Sequence, residues 1–169
     1  MSLLKIMIYP DPVLKEKCTP VQRFDAQLGK LLDDMFETMY AGNGIGLAGP
    51  QVGVTQRILV TDVSFAGEEK LELINPEIVE TEGSTTYEEG CLSIPGFRET
   101  VSRKAKIKVK AQNRKGEEFL VEADDLKSIC IQHEMDHLDG YLFVDRLSRL
   151  KRELFKSWLK KNAPLDAEE

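Results

Sequence analysis

Two histidines four residues apart are the part of this sequence that is best suited to chemistry. His133-Glu134-x-x-His137 has the HExxH pattern, and the chain contains no other histidine. Residues four apart on an α-helix are neighbours on one face, so two imidazoles at this spacing can reach one metal ion. Glu134 lies about 100° further round the helix axis, where it borders such a site without having to ligate the metal. The pattern predicts a metal-dependent hydrolase.

The helix that must position these residues is predicted over residues 124–140. Asp124 or Asp125 can cap its start, and Gly140 can end it. One stripe at helical spacing carries both histidines among apolar neighbours and is expected to face inward. The members of this stripe are Leu126, Ile129, Cys130, His133 and His137.

The elements around this helix are predicted from hydrophobic periodicity. Residues 25–40 have a strong helical period, and residues 6–14 are predicted to form a short extended segment followed by a turn. Alternation and β-branched residues predict strands at 57–63 and 71–80, the second broken at Asn75-Pro76, and a hairpin formed by residues 107–111 and 119–121. The segment 41–51 is rich in glycine, which allows a close backbone approach to another group.

A last amphipathic helix is predicted over residues 147–161. Its apolar residues, which we expect to pack on the body of the protein, are Leu147, Leu150, Leu154, Trp158 and Leu159. The polar residues 162–169 are expected to fray.

Bulk properties limit the class of protein. The length of 169 residues predicts a single domain, and the net charge of −6 argues against general nucleic-acid binding and gives no sign of sequence-specific binding. No stretch resembles a signal peptide or is long enough to span a membrane. Cys18, Cys91 and Cys130 are too few for a disulfide framework, so the cytoplasm is the expected location.

A catalytic metal usually has three protein ligands and one open position, so a third ligand is needed. In the longer HExxHxxGxxH pattern, Phe143 stands where the third histidine would be. Glu153 is a poor candidate because it lies in a basic, solvated helix. Cys91 is the better candidate, because a soft thiolate binds iron, zinc or nickel well. It lies in the segment 86–96, which is predicted to be an exposed bend outside the core.

Three motifs together resemble one family, the peptide deformylases. They are Gly44-Ile45-Gly46-Leu47-Ala48-Gly49-Pro50-Gln51, Glu89-Gly90-Cys91-Leu92-Ser93 and Gln132-His133-Glu134-Met135-Asp136-His137. Their order and spacing fit, and the resemblance covers nearly the whole chain. Gly49 departs from the alanine that is usual in the family. The resemblance implies an α+β domain in which mostly antiparallel sheets surround the HExxH helix, with one helix near each terminus.

The resemblance implies removal of the formyl group from the N-terminal formyl-methionine of new polypeptides. Cys91, His133 and His137 would hold one divalent metal, with Fe(II) expected and Zn(II) or Ni(II) possible in a purified sample. Glu134 would be the general base. By similarity, the Leu92 backbone N–H and the Gln51 side-chain amide would donate hydrogen bonds to the oxyanion.

The substrate contacts are also implied by the resemblance, together with the position of apolar residues near the motifs. The Gly46 backbone would pair with the substrate chain. Four residues are candidates for the methionine pocket: Ile45, Leu126, Ile129 and Cys130. Asp136 is expected to pair with Arg103.

Two other functions are consistent with the residues alone. A metallopeptidase would share the metal chemistry, and a binding protein stabilised by a metal would keep the ion without turnover.

The partners expected here are formyl-methionyl nascent peptides. The helix over residues 146–161 carries seven basic residues against only Glu153, so it could also dock on the ribosome, whose RNA is dense in negative charge.

Overall fold

The computed structural model describes residues 2–64 and 66–162, which form one α+β domain with three α-helices and seven strands. The helices are α1 (Ala26–Ala41), α2 (Asp125–Leu138) and α3 (Arg149–Asn162). The strands are β1 (Gly46–Ala48), β2 (Ile58–Thr61), β3 (Leu71–Glu82), β4 (Thr85–Cys91), β5 (Ile94–Arg103), β6 (Lys106–Gln112) and β7 (Glu118–Asp124). Apart from Asn162, the tail that was expected to fray lies outside the described residues.

A five-stranded sheet with the order β1-β2-β3-β6-β7 forms the centre of the domain, and all of its neighbouring strands are antiparallel. Successive side chains of a strand point to opposite faces of the sheet. Leu59 of β2 packs with residues of α2 on one face, whereas Ile58 and Val60 pack with residues of α1 on the other. The continuous apolar run of β2 therefore results from burial on both faces.

The sequence correctly predicted α1, α2 and the β6–β7 hairpin. The Asp25 side chain caps α1 by accepting a hydrogen bond of 3.0 Å from the Leu28 backbone N–H. In the hairpin, Ile107, Val109 and Ala111 alternate with polar residues and lie in the same core cluster as α2. α2 begins after Asp124 and ends at Leu138, two residues before Gly140.

Two strand predictions need correction. Segment 86–96 is not an exposed bend, because β4 and β5 pair as an antiparallel hairpin that includes most of it. The chain also continues through Asn75-Pro76 as one strand, with a shift in pairing register at that point. The Asn75 side chain bonds to the Val21 backbone and to Gln112, which satisfies polar groups around the irregularity.

The predicted packing of the last helix was partly wrong. α3 packs on β5 through Phe155, with Trp158 and Leu159 at the edge of the same cluster. Leu150 and Leu154 are instead 71% and 53% exposed. Among the described residues, no helix combines the length and the apolar character that are needed to cross a membrane.

Candidate metal centre

Three side chains from two distant elements converge at one point. The Nε2 atoms of His133 and His137 on α2 are 3.3 Å apart, and the Cys91 sulfur at the end of β4 is 3.6 Å from the His137 Nε2. Tetrahedral ligation, with bonds of about 2.0 Å to nitrogen and about 2.3 Å to sulfur, separates two nitrogens by about 3.3 Å and a nitrogen from a sulfur by about 3.5 Å. The three donors therefore fit a divalent metal ion.

A buried ion-pair network orients His133. Its Nδ1 is 2.9 Å from Glu89 Oε1, and the Arg103 guanidinium donates two hydrogen bonds of 2.8 and 2.9 Å to the Glu89 carboxylate. Burial alone would raise the pKa of Glu89, but hydrogen bonds from Arg103 and His133 lower it to about 2. An ionised Glu89 accepts the Nδ1–H of His133, which leaves the Nε2 lone pair free for a metal.

Arg103 also reaches the outer side of α2. Its Nη1 is 2.6 Å from Asp136 Oδ2, as expected from the resemblance.

Burial lowers the pKa of His137 well below its ordinary value, and the nearby charges of His133 and Arg103 act in the same direction. A neutral imidazole is the form that binds a metal.

Glu134 lies beside the three converging donors. It is buried, and its Oε1 has no hydrogen-bond partner among the described residues. Burial raises the pKa of Glu134 to about 7, and the negative charge of Glu89 adds to the effect against the opposing charge of His133. A carboxyl group with this pKa can both accept and release a proton near neutral pH.

The glycine-rich segment lies directly against Glu134. A Cβ at position 46 would lie 2.5 Å from Glu134 Oε2 and 2.8 Å from the Cys130 sulfur, so Gly46 permits this approach. At Gly49, where the family usually has alanine, a Cβ would lie 2.6 Å from the Val54 carbonyl oxygen. The local turn in this chain therefore has room for glycine only.

The orientation of the Gln51 amide follows from its hydrogen bonds. Its Oε1 accepts a 3.0 Å bond from the Ala48 backbone N–H. Its Nε2 therefore points the other way, 3.4 Å from the Cys91 sulfur and 3.3 Å from the Ser93 hydroxyl oxygen. The amide donor of Gln51 faces the metal centre.

A cavity of about 460 Å³ opens onto the centre. It is lined by ten of the residues that were named from the sequence: Ile45, Gly46, Gln51, Cys91, Leu92, Leu126, Ile129, Cys130, His133 and Glu134. His137 is fully buried behind them. The structure thus brings every sequence-predicted site residue together.

The sequence analysis did not identify Glu89, or three other residues that line the cavity, as part of the site. Glu89 is only 4% exposed, although it was placed on an exposed bend. Its position two residues before Cys91 was the available signal, because residues two apart in a strand can share a face. Tyr87, Phe97 and Arg98, which also line the cavity, gave no comparable signal.

Comparisons with known proteins agree with this geometry. The family model described as polypeptide deformylase matches residues 3–153. The peptide deformylase of Chromobacterium violaceum is 53% identical over 161 residues, which cover 95% of this chain and 96% of that protein. The crystal structure of a peptide deformylase from Legionella pneumophila is 44% identical, has a TM-score of 0.92 and covers 99% of both chains. The peptide deformylase of Thermus thermophilus is 39% identical, with a TM-score of 0.89 and 94% coverage of each chain.

These matches confirm the resemblance that the three motifs indicated. They favour deformylation over the two other functions considered from the residues alone, and the shared fold extends over the whole α+β domain. The Cys91, His133 and His137 cluster is the part of the described structure that can hold the metal this chemistry requires. The chain therefore belongs to the polypeptide deformylase family and is a metal-dependent hydrolase that removes the N-formyl group from newly made peptides.

Proposed function

We propose that Cys91, His133 and His137 hold a catalytic Fe(II) ion, and that Zn(II) or Ni(II) can replace it in a purified sample. The convergence of one sulfur and two imidazole nitrogens within 4.8 Å supports this ligand set. A thiolate with two imidazoles suits all three ions. When bound, the ion is a Lewis acid that lowers the pKa of water and stabilises developing negative charge.

The choice of iron can be tested by exposure to air. A thiolate such as that of Cys91 is open to oxidation in an accessible site, and ferrous iron adds a second oxidisable group. We expect the iron-loaded protein to lose deformylase activity in air much faster than the nickel-loaded protein. Equal lifetimes for the two forms would contradict the assignment of iron as the air-sensitive working ion.

Glu134 is assigned to proton transfer. Its buried carboxyl has one oxygen without a partner among the described residues and a pKa raised to about 7. In this role it accepts a proton from the attacking water and passes it to the leaving amine. Ligation of the metal is left to the three convergent side chains.

Gln51 and Leu92 are assigned to the oxyanion. The Gln51 amide is turned toward the metal centre because its oxygen is already bonded to the Ala48 N–H. Leu92 follows the ligand Cys91 directly and lines the same cavity, which supports the use of its backbone N–H as the second donor. Removal of one such donor typically costs about 10²- to 10³-fold in rate.

The substrate class is formyl-methionyl nascent peptides. Ile45, Leu126, Ile129 and Cys130 give the cavity an apolar wall for the methionine side chain. Gly46 lines the same cavity and belongs to β1 at the edge of the five-stranded sheet, where its backbone can pair with the extended peptide. The unbranched methionine side chain adapts well to an irregular apolar pocket.

The single observation that carries these roles is the Glu134 carboxyl oxygen that has no hydrogen-bond partner among the described residues, beside the Cys91, His133 and His137 donors. The test is Glu134→Gln, with formate release from a formyl-methionyl peptide and bound metal measured on the same sample. We expect about a 10²- to 10⁴-fold loss of kcat with metal content unchanged. Glu153→Gln on exposed α3 is the matched control and should keep full activity. Loss of metal from Glu134→Gln would contradict a role in proton transfer alone.

We also propose that α3 docks the enzyme on the ribosome. The basic residues of the 146–161 region are Arg146, Arg149, Lys151, Arg152, Lys156, Lys160 and Lys161. Leu150 and Leu154 are exposed on the same helix, so it offers both positive charge and apolar surface to a partner. Attraction to RNA phosphates should weaken steeply with salt.

Ribosome co-sedimentation at low and moderate salt tests the docking. The variant is Lys156→Glu, Lys160→Glu and Lys161→Glu combined, and the control makes the same charge change at Lys15, Lys17 and Lys115, which are exposed outside α3. We expect only the α3 variant to stop sedimenting with ribosomes, while both hydrolyse a short free peptide normally. Equal sedimentation of both variants and the parent would rule out docking through α3.

The cytoplasm is the proposed location, and the whole chain is proposed to act as one catalytic domain. All three cysteines are free thiols, which suits a reducing compartment.

A further inference from the structure

The N-terminal segment, residues 2–9, lies across the two parts of the chain that carry the proposed oxyanion donors. It belongs to no helix or strand. Its backbone nevertheless donates hydrogen bonds to residues in both of the first two motifs. The roles assigned so far give no reason for these hydrogen bonds.

The first contact is at Gln51. The Met7 backbone N–H donates to the Gln51 carbonyl oxygen at 2.7 Å. Gln51 lies in a short 3-10 helix, Gly49–Val52, and is buried. The Met7 side chain lies over Gly53, which follows this turn. The segment thus holds the backbone from which the Gln51 amide projects.

The second contact is at Ser93, the residue after Leu92. The Tyr9 backbone N–H donates to the Ser93 carbonyl oxygen at 2.8 Å, and Ser93 is fully buried. The Ser93 hydroxyl in turn lies 3.3 Å from Gln51 Nε2. Met7 and Tyr9 are two residues apart in an extended segment, so their backbone N–H groups point to the same side of the chain. They join two turns that are 42 residues apart in sequence.

The segment is fixed at both ends. Near its start, the backbone N–H groups of Ser2 and Leu4 donate to Asp34 and Thr38 of α1, each at 2.8 Å. Beyond its end, Leu14 is fully buried, and the Cys18 N–H donates to the Leu138 carbonyl at the end of α2. The Tyr9 ring also packs edge-on against Phe155 of α3.

We propose that residues 2–9 are a positioning segment that sets the distance between the Gln51 amide and the Leu92 N–H through the Met7 and Tyr9 backbone bonds. This inference rests on the oxyanion roles proposed above. Donors stabilise a developing oxyanion only when they are already in place, and a displacement of about 1 Å can cost about 100-fold in rate. The segment therefore acts on kcat through other residues and touches no substrate itself.

The test replaces one backbone amide by an ester, which removes the N–H and keeps the side chain. The natural Cys18 allows a synthetic peptide of residues 1–17 to be ligated to residues 18–169, so the full chain is rebuilt and loaded with metal. An ester at Met7 removes the bond to Gln51. An ester at Ile8 is the matched control, because the Ile8 N–H has no partner among the described residues.

We expect the Met7 ester to lower kcat by about tenfold with KM unchanged, because an interaction made only in the transition state is weakened. The Ile8 ester should keep the kcat of the rebuilt chain. Metal content and the thermal unfolding midpoint are measured on every sample, and activity is assayed well below the lowest midpoint. A change confined to the midpoint would show a merely structural segment and overturn the inference.

A double-mutant cycle with Gln51→Ala separates this inference from the oxyanion proposal. If the segment acts through Gln51, the Met7 ester should have at most about a twofold effect on kcat in the Gln51→Ala chain. An undiminished tenfold effect there would overturn the inference. If Gln51→Ala alone leaves kcat unchanged, the oxyanion role of Gln51 is wrong, and the inference falls with it. If Gln51→Ala lowers kcat while the Met7 ester does not, only the positioning inference is wrong.

Discussion

The helices α2 and α3 have the same length of 14 residues but differ in how far they are buried in the protein. Ten residues of α2 are buried, including the polar or charged Ser128, Gln132, His133, Glu134 and His137, whereas only Phe155 of α3 is buried. α3 has the clear amphipathic pattern of a helix on a protein surface, whereas α2 is buried around most of its circumference. The helix with the weaker sequence pattern is therefore the one that carries the chemistry.

The difference shows how burial makes polar side chains both costly and useful. A buried polar group without a partner is destabilising, so most polar groups of α2 are paired. Ser128 and Gln132 bond to the Lys104 carbonyl, and His133 bonds to Glu89. On α2, the buried side-chain atoms without a partner among the described residues belong to Glu134 and His137, both at the metal centre.

The largest effect is expected from the network behind α2. Arg103→Leu leaves Glu89 and Asp136 without their shared buried counter-ion, which should cost about 3–5 kcal/mol in the free energy of unfolding. Metal affinity should fall by about 10- to 100-fold, because His133 loses its orientation through Glu89. Denaturant unfolding and competition with a chelator measure the two effects.

Arg146→Leu is the control for this prediction. Arg146 also binds Asp136, at 2.9 Å, but its side chain is 46% exposed. The expected cost is at most about 1 kcal/mol. Similar losses for the two variants would mean that burial around α2 is not what makes the network important.

The second effect tests whether α3 is held mainly by its single buried residue. Phe155→Ala should lower the free energy of unfolding by about 3 kcal/mol, the low end for a buried phenylalanine, because a peripheral helix can settle into the space. Metal content should stay unchanged, since the rings that pack on Phe155 belong to Tyr9, Phe97 and Trp158, and none of these is a ligand. A loss of bound metal on the scale of Arg103→Leu would remove the contrast between the two helices.

A third prediction concerns the close approach of the glycine-rich segment to α2. Gly46→Ala places a Cβ against Glu134 and Cys130, and overpacking of this kind costs about 1–3 kcal/mol. We expect a loss of kcat as well, because Glu134 must move. Gly29→Ala in α1 is the control: its Cβ meets nothing closer than 3.7 Å, so it should stabilise the protein by about 0.4–1 kcal/mol. Thermal unfolding and formate release distinguish the two glycines.

The smallest effect is expected on the outer face of α3. Leu154→Gln should change the free energy of unfolding by no more than about 0.5 kcal/mol, because Leu154 is 53% exposed. Activity on a short free peptide should be unchanged. A large loss of stability would show that this face is covered in solution, and Leu150→Gln on the same face would then behave alike.

Much of the fold was predictable because the signals are local. The period of α1, the alternation of β6 and β7 and the boundaries of α2 all appear within single segments of the sequence. The HExxH spacing places two donors on one helix face, since helical geometry alone decides that relation. The chemistry of a thiolate favoured Cys91 as the third ligand, and the three motifs added Gln51 through their resemblance to a family that the comparisons then confirmed.

The predictions that failed concern residues whose environment is set by distant parts of the chain. Glu89 was predicted to be exposed because an acid in a polar stretch usually is. It is buried because Arg103, 14 residues away, and His133, 44 residues away, neutralise and orient it. Leu150 and Leu154 were predicted to pack on the domain, but β5 meets α3 through Phe155 instead.

By itself, the sequence determined the helical spacing of His133, Glu134 and His137, the main helices and strands, and the family. The tertiary structure decided which apolar face of α3 is covered, that Glu89 is buried behind the metal centre, and that residues 2–9 bridge Gln51 and Ser93. Periodicity and capping depend on neighbours along the chain, whereas these contacts depend on the packing of segments 14 or more residues apart. Burial and pairing are properties of that packing, so they appear only when the chain has folded.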